Sequence, residues 1–268
     1  RGILLSLVSM GYTGELYPVN PSGGTISGRK LYPSIEAIPE PIDFAIIAVP
    51  ARKVPDALES CRKKGAVAAE ILSSGFTEVG TAEGVDLDRQ VQQIAAKGIR
   101  VIGPNCFGIY CPESGLTMLP GPDLSRRSGP VAFLSQSGGL SIDFAYLGKW
   151  RGIYFSKMIS FGNGCDLRET ELLEYLCQDD ATSVICLYVE GVINGRAFLT
   201  VLRKAAAKKP VIVMKGGLSD AGGRAVASHT ASMGGSRKIW SAALKQCNVV
   251  QVESLQEMAD AALAFSML

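Results

Sequence analysis

Histidine is nearly absent from this chain. Its 268 residues contain one, His229, so any Cys–His pair would have to use it. The seven cysteines (Cys61, Cys106, Cys111, Cys165, Cys177, Cys186, Cys247) are odd in number and contain no Cys-x-x-Cys pair. Neither a disulfide framework nor a zinc site is supported, and a reducing, cytoplasmic setting fits best. No apolar run approaches the ~20 residues of a membrane span, and the first residues lack the charged, apolar and small-residue order of a signal peptide. Basic clusters with interleaved aromatics are missing too. With 27 Lys and Arg against 25 Asp and Glu the net charge is +2, which argues against a nucleic-acid partner. No Gly-x-Gly-x-x-Gly follows a strand-like run and no acidic ribose ligand is identifiable, which disfavours a dinucleotide-dependent dehydrogenase.

What is present is alternation. Runs rich in Val, Ile and Leu at residues 43–49, 100–102, 130–134, 183–189 and 210–214 are continuous rather than alternating, as in strands covered on both faces. Between them, charged periodic stretches at 52–64, 83–97, 167–178 and 195–208 suit crossover helices. The pattern predicts an α/β chain with parallel sheets. Residues 115–129 hold turn residues without a period, so a linker is expected there, between domains at 1–127 and 128–268. The opening differs from an ordinary doubly wound domain. Residues 2–11 read as a helix burying Ile3, Leu4, Leu7, Val8 and Met10, followed by a strand at 15–19, with no strand and glycine-rich turn before them. A sheet without its central strand leaves two backbone ladders unpaired, so residues upstream of Arg1 are expected in the natural protein.

Three places carry chemistry. His229 lies in Ser228-His-Thr-Ala-Ser-Met-Gly-Gly235, a small and polar stretch without the apolar period that would bury an imidazole. Taken alone it reads first as a solvated loop histidine, and only the surrounding motif overturns that. Glu190 follows the apolar run 183–189 at the carboxyl end of a strand, where α/β ligand sites collect, although a capping or solvated acid would stand there as well. Leu134-Ser-Gln-Ser-Gly-Gly139 runs from a strand through Ser135, Ser137, Gly138 and Gly139 into a helical stretch. That order makes a phosphate cradle, because a helix N-terminus offers unpaired N–H groups and glycine permits close approach. Ser137 could also cap that helix. A serine-hydrolase elbow is disfavoured, since Ser135 occupies the place two before Ser137 where glycine is needed.

These segments, with Tyr17-Pro-Val-Asn-Pro-Ser-Gly-Gly24, Ala48-Val-Pro-Ala51, Ser73-Ser-Gly-Phe76, Ile102-Gly-Pro-Asn-Cys-Phe-Gly108 and Tyr188-Val-Glu-Gly191, resemble the CoA-binding and ligase domains of ADP-forming acetyl-CoA synthetases. That group is similar to the alpha subunit of succinyl-CoA synthetase. The resemblance implies a Rossmann-like CoA-binding domain followed by a flavodoxin-like ligase domain. It implies that His229 is transiently phosphorylated and that Glu190 accepts the hydrogen of one of its ring nitrogens. CoA would be held by Val19, Asn20, Pro21, Val49, Pro50, Ser73, Ser74, Gly75, Asn105 and Cys106, with Cys106 lining the thiol end. Asn163, in a Gly-Asn-Gly turn, would touch the acyl phosphate.

The implied reaction has three reversible stages. Phosphate attacks an acyl-CoA thioester, His229 takes the phosphoryl group from the acyl phosphate, and ADP takes it from the phosphohistidine. ADP or ATP and Mg would sit on an ATP-grasp domain or beta subunit, and an oligomer is implied. Two positions depart from the pattern: Ser22 stands where relatives often carry Lys, and Ala231 where they often carry Gly. The other reading is a non-catalytic CoA-sensing module, which would have no need of Glu190 and His229.

Overall fold

Continuous apolar runs become strands where helices can cover both of their faces, and this decides the architecture. The computed structural model describes residues 2–117, 123–217 and 236–267. Helix α1 (Gly2–Met10) opens the first part and buries Leu4, Ser6, Leu7 and Met10. Val8, expected to face inward, is 46% exposed, and Ser6 is buried instead with its hydroxyl donated to the Gly2 carbonyl at 2.9 Å. The strand expected at 15–19 does not form. Val19 makes only an isolated bridge to Tyr32, because Pro18 and Pro21 remove the N–H groups a ladder would need. A small hairpin follows, β1 (Thr25–Ile26) with β2 (Arg29–Lys30).

The first sheet is parallel, β3 (Phe44–Ile47), β4 (Ala68–Ile71) and β5 (Arg100–Ile102), in that order. Helices α2 (Val54–Lys63) and α3 (Ala82–Ala95) pack on it around Val54, Leu58, Ile71, Phe76, Val91, Ile99 and Val101, all wholly buried. Thr81 caps α3 by accepting the Gly84 N–H at 3.1 Å.

The second sheet holds β6 (Gly108–Tyr110), β7 (Ser128–Ser135), β8 (Phe155–Ser160), β9 (Val184–Val189), β10 (Val211–Lys215) and β11 (Val250–Val252). Their spatial order is β11-β10-β9-β7-β8-β6, parallel except for β6, which pairs antiparallel with β8. Counted from β7, the parallel strands run 2-1-3-4-5 from the β8 side, the flavodoxin-like winding. Helices α4 (Gly138–Arg151), α5 (Glu169–Gln178), α6 (Gly195–Ala206), α7 (Arg237–Gln246) and α8 (Leu255–Ser266) supply the cover. One core gathers Val184, Cys186 and Tyr188 of β9 with Phe133, Phe144 and Met258; the other gathers Ile185, Leu187 and Val189 with Leu172, Leu176 and Phe198. The period of two across β9 thus feeds both layers, which is why its sequence reads as one apolar run. No helix among the described residues is long and apolar enough to cross a membrane.

The linker expected at 115–129 falls between β6 and β7, both strands of the second sheet. The chain enters the second sheet already at β6, and the seam is a set of backbone hydrogen bonds: Leu167 N–H to Val101 at 3.1 Å, Cys165 to Gly103 at 3.0 Å and Asn163 to Pro104 at 3.0 Å. Asp166 adds an ion pair to Arg100 and accepts the Val101 N–H at 2.8 Å. Turn-rich sequence marks where a chain can bend, whereas the contact between sheets is decided by which strand edges remain to be paired.

Candidate functional site

In a 2-1-3-4-5 sheet the connections leave the first strand on opposite sides, opening a crevice at the carboxyl ends of the first and third strands. Here those are β7 and β9. Ser135 ends β7 and is fully buried; its hydroxyl donates to the Ser137 carbonyl at 2.7 Å and accepts the Ser137 N–H at 3.1 Å. Ser137 caps α4 by accepting the Leu140 N–H at 3.3 Å. The capping reading of Ser137 is thus met, and the cap leaves the N–H groups of Gly138 and Gly139 at the start of the helix without intrahelical partners. The Phe107 ring lies 3.0 Å from where a Cβ on Gly138 would stand, whereas a Cβ on Gly139 would meet nothing within 4 Å. The cradle is backed on one side and open on the other.

Glu190 stands across this crevice, at the end of β9, with 5% of its surface exposed. Gln136 fixes its backbone: the amide oxygen accepts the N–H groups of Glu190 at 2.8 Å and Gly191 at 3.2 Å, while the Gln136 N–H reaches the Tyr188 carbonyl at 3.1 Å. The carboxylate takes the Tyr188 hydroxyl on Oε1 at 3.2 Å. Its Oε2 is buried and has no hydrogen-bond partner among the described residues. Leaving such an atom unpaired costs ~1–3 kcal/mol. Burial, followed by the neighbouring Glu190 carboxylate, pushes the Tyr188 phenol up, so it stays a donor. Lys215, at the end of β10, donates to the Glu190 carbonyl at 2.8 Å and to the Gly216 carbonyl; burial pulls its ammonium down and Glu190 opposes that. Residues 218–235 lie outside the described residues, and His229 is among them.

At the first sheet, an open cleft of ≈ 330 Å³ is lined by residues 48–51 and 72–74 at the carboxyl ends of β3 and β4. Val49, Pro50, Ser73 and Ser74 are therefore brought together as expected. The Ser73 hydroxyl donates to the Val49 carbonyl, tying the two loops, and Asn105, in the left-handed region at φ 56°, donates its N–H to the Ser73 carbonyl at 2.9 Å. Gly75 has φ 111°, a conformation that favours glycine. Val19, Asn20 and Pro21 do not line this cleft. Asn20 instead folds its own turn, accepting the Ser22 N–H on its side chain at 3.0 Å.

Cys106 also departs from its expected place. Its thiol is 3% exposed and donates to the Ile71 carbonyl at 3.3 Å, and burial, then Glu70, pushes it up, so it shapes the loop from inside. Asn163 is bonded within the protein on every polar group. Its N–H reaches Pro104, its carbonyl accepts Arg168 at 2.9 Å, its amide oxygen accepts Asn105 Nδ2 at 3.3 Å, and its amide nitrogen donates to Glu78 Oε2 at 2.5 Å.

Sequence reasoning passed over Gln136, Tyr188, Lys215 and Glu78. The first two lie inside quoted motifs. Lys215 gave a signal of its own, a cation closing a continuous apolar strand.

With this geometry described, comparison with known proteins is informative. Residues 2–112 match the family described as CoA binding domain, and residues 128–265 the succinyl-CoA ligase like flavodoxin domain. The chain is 42% identical over 271 residues to the alpha subunit of acetate–CoA ligase [ADP-forming] I of Pyrococcus furiosus, covering 99% of this chain and 58% of that one. It is 42% identical over 253 residues to acetate–CoA ligase [ADP-forming] I of Archaeoglobus fulgidus, covering 94% and 37%. A solved structure of the "dinucleotide forming Acetyl-coenzyme A synthetase 1" of Ca. Korarchaeum cryptofilum, in complex with phosphate and ADP, aligns with a TM-score of 0.91 at 37% identity, covering 99% of this chain and 57% of that one. The chain thus spans between 37% and 58% of the length of these relatives.

Proposed function

The chain belongs to the succinyl-CoA ligase-like family, carrying the CoA-binding and flavodoxin-like domains of an ADP-forming acyl-CoA synthetase, and on that premise we propose that it is the alpha-type portion of such an enzyme, an acid-thiol ligase. The observation that carries this reading is Glu190. Its carboxylate is buried at the switch-point crevice with Oε2 lacking a partner among the described residues. A ring N–H of His229 would fill that place, fixing the tautomer so that the other nitrogen is free to attack phosphorus. As the nitrogen gains a phosphoryl group the ring becomes positive, and the carboxylate offsets that charge in a site with little water to screen it. A sensing module would have no use for this arrangement.

The reaction proceeds in displacements that balance. A phosphate oxygen attacks the acyl carbonyl of an acyl-CoA and the CoA thiolate leaves. The His229 nitrogen then attacks the phosphorus of the acyl phosphate, releasing the carboxylic acid. Last, a terminal ADP oxygen attacks the phosphohistidine, forming ATP and freeing the imidazole. The N–H groups of Gly138 and Gly139 at the α4 N-terminus would hold the phosphoryl oxygens during the first two steps, with Ser137 ordering that turn. The cleft at Val49, Pro50, Ser73 and Ser74 fits one end of CoA: it is open, sits at strand carboxyl ends and has small, uncharged side chains in its lining. ADP and Mg would belong to an ATP-grasp partner, and acetate is the first acid to test, from the names of the relatives.

The test is phosphoryl labelling of the complete enzyme, this chain with its ATP-grasp partner, by labelled ATP. One acid-labile, base-stable site is expected, and His229→Asn removes it. Glu190→Gln, which keeps a hydrogen-bond acceptor without the charge, should slow labelling ~10²-fold with an unchanged circular dichroism spectrum. Label that survives His229→Asn and vanishes in Ser137→Ala would replace the phosphohistidine by a phosphoserine.

A further inference from the structure

Glu78 lies in the short turn Thr77–Val79 and ties two segments, its own loop at Gly75 and Phe76 and the loop of Asn163. Its Oε1 accepts the Gly75 N–H at 2.6 Å and the Phe76 N–H at 3.2 Å, and its Oε2 accepts the Asn163 side-chain amide at 2.5 Å. Burial acts to raise this carboxyl, but the hydrogen bonds from Gly75 and Asn163 outweigh it and hold it below the ordinary range, so Glu78 is an anion throughout neutral pH. No cation is needed, because its charge is met by N–H groups alone.

Its position matters more than its charge. Gly75 is the residue after Ser74, which lines the cleft at the first sheet. Asn163 lies two residues beyond Phe161, whose N–H is bonded to the Ser135 carbonyl at 2.9 Å, at the first residue of the phosphate cradle. Asn105 closes the circuit, donating its side chain to Asn163 at 3.3 Å and its N–H to Ser73 at 2.9 Å. Cleft and cradle are thus joined by a short loop of polar contacts across the seam between the sheets, and Glu78 is the only ionised member of it.

We propose that Glu78, acting through the amide of Asn163, is a positioning residue that sets the CoA cleft of the first sheet against the phosphate cradle of the second, so that phosphate and acyl carbonyl meet. The proposal rests on the function given above. It assigns Asn163 to holding the two loops in register rather than to contact with the acyl phosphate. The acyl-transfer stage needs the two sites in register, whereas the exchange between ATP and His229 uses the second part and the ATP-grasp partner only. Loss of the tie should therefore affect one stage and spare the other.

The bond can be reversed. Asn163→Asp replaces the donor to Glu78 Oε2 by a second carboxylate, so the bond is lost and the two groups repel or share a proton. Adding Glu78→Gln restores every contact: the Gln oxygen accepts Gly75 and Phe76, its NH2 donates to Asp, and the other Asp oxygen accepts Asn105. In the complete enzyme, ATP formation from acetyl-CoA, ADP and phosphate should fall ~100-fold in Asn163→Asp and return to within ~10-fold of wild type in the double variant. Labelling from ATP should be unchanged in both. A single variant as fast as wild type, a double variant no faster than the single, or labelling that falls with turnover would each overturn the proposal. Glu78→Ala, which removes the acceptor without adding charge, should show the same split between stages and serves if Asn163→Asp does not fold. A wild-type enzyme that neither labels nor turns over would instead overturn the function on which this rests.

Discussion

The two sheets treat their polar side chains in opposite ways. Near the carboxyl end of the first, Ser73, Asn105, Cys106 and, across the seam, Asn163 all spend side-chain hydrogen bonds on neighbouring segments, and the cleft beside them has no charged side chain in its lining. At the second, the supporting bonds come from Gln136 and Lys215 to the Glu190 backbone, and one carboxylate oxygen is left buried without a partner among the described residues. Holding a ligand by shape and amide groups requires rigid loops. In the proposed reaction, a charge that appears only during transfer calls for a carboxylate held in reserve, the part proposed for Glu190.

Such reserve depends on the frame beneath it, and the largest effect should come from breaking that frame. Phe144 is fully buried, with its ring centroid 4.8 Å from that of Phe133 and 5.5 Å from that of Phe155. Phe144→Ala should cost ~3–5 kcal/mol, read as a lowered midpoint in urea. It should loosen α4 and the cradle at its start more than the first-sheet cleft, which amide exchange would show region by region.

The frame was legible where the rule of continuous apolar runs applies: β3, β5, β7, β9 and β10 and the helices between them stand close to where periodicity puts them. The positions of Glu190 and the Ser135 to Gly139 turn were legible because each follows a continuous apolar run, and they stand at the carboxyl ends of β9 and β7. The seam was not. β6 is three residues long, Gly108–Tyr110, and joins the second sheet because β8 has an edge to pair, a fact set by tertiary structure rather than by its own sequence. Cys106 and Asn163 were assigned to ligands by the resemblance, whereas the Cys106 thiol is buried and the half-buried Asn163 amide is bonded to Asn105 and Glu78. A motif fixes where a loop runs, while the direction of each side chain is settled by neighbours distant in sequence, such as Glu78 for Asn163.

A smaller effect sharpens the contrast from the seam itself. Glu70 on β4 is 2% exposed and accepts the Ile109 N–H of β6 at 3.1 Å, joining the two sheets. Burial pushes its carboxyl up to about 8, with the Ile109 hydrogen bond opposing. Because the folded value lies above the unfolded one, its contribution to stability is fully present below pH ~4.5 and is lost as the pH rises through about 8. Between pH 6 and 9 the loss is on the order of 2 kcal/mol, and Cys106 beside it does not compensate, since its thiol is also held neutral. Glu70→Gln should flatten this part of the Tm against pH curve. A wild-type curve no steeper than that of the variant would show that Glu70 carries no such load.

The least expected effect lies at the cradle. The Ser137 side chain meets α4 through one bond, its hydroxyl accepting the Leu140 N–H at 3.3 Å; its carbonyl separately accepts the Ser141 N–H at 3.2 Å and hydroxyl at 2.9 Å, and Ser135 orders the preceding turn through two bonds. Ser137→Ala removes the cap and should lower stability by ~1 kcal/mol; Ser137→Gly should cost only a few tenths. The N–H groups of Gly138 and Gly139 survive both changes, so labelling from ATP should be slowed in proportion to the looser turn and not abolished. Stability and labelling rate would then fall together across Ser137→Ala and Ser137→Gly. If labelling instead drops ~100-fold in both variants while thermal midpoints stay at the wild-type value, the Ser137 hydroxyl touches the phosphoryl group directly. The cradle would then use a side-chain hydroxyl where the Ser73 hydroxyl at the first-sheet cleft is spent on the Val49 carbonyl, making the difference between the two sites larger than the capping geometry implies.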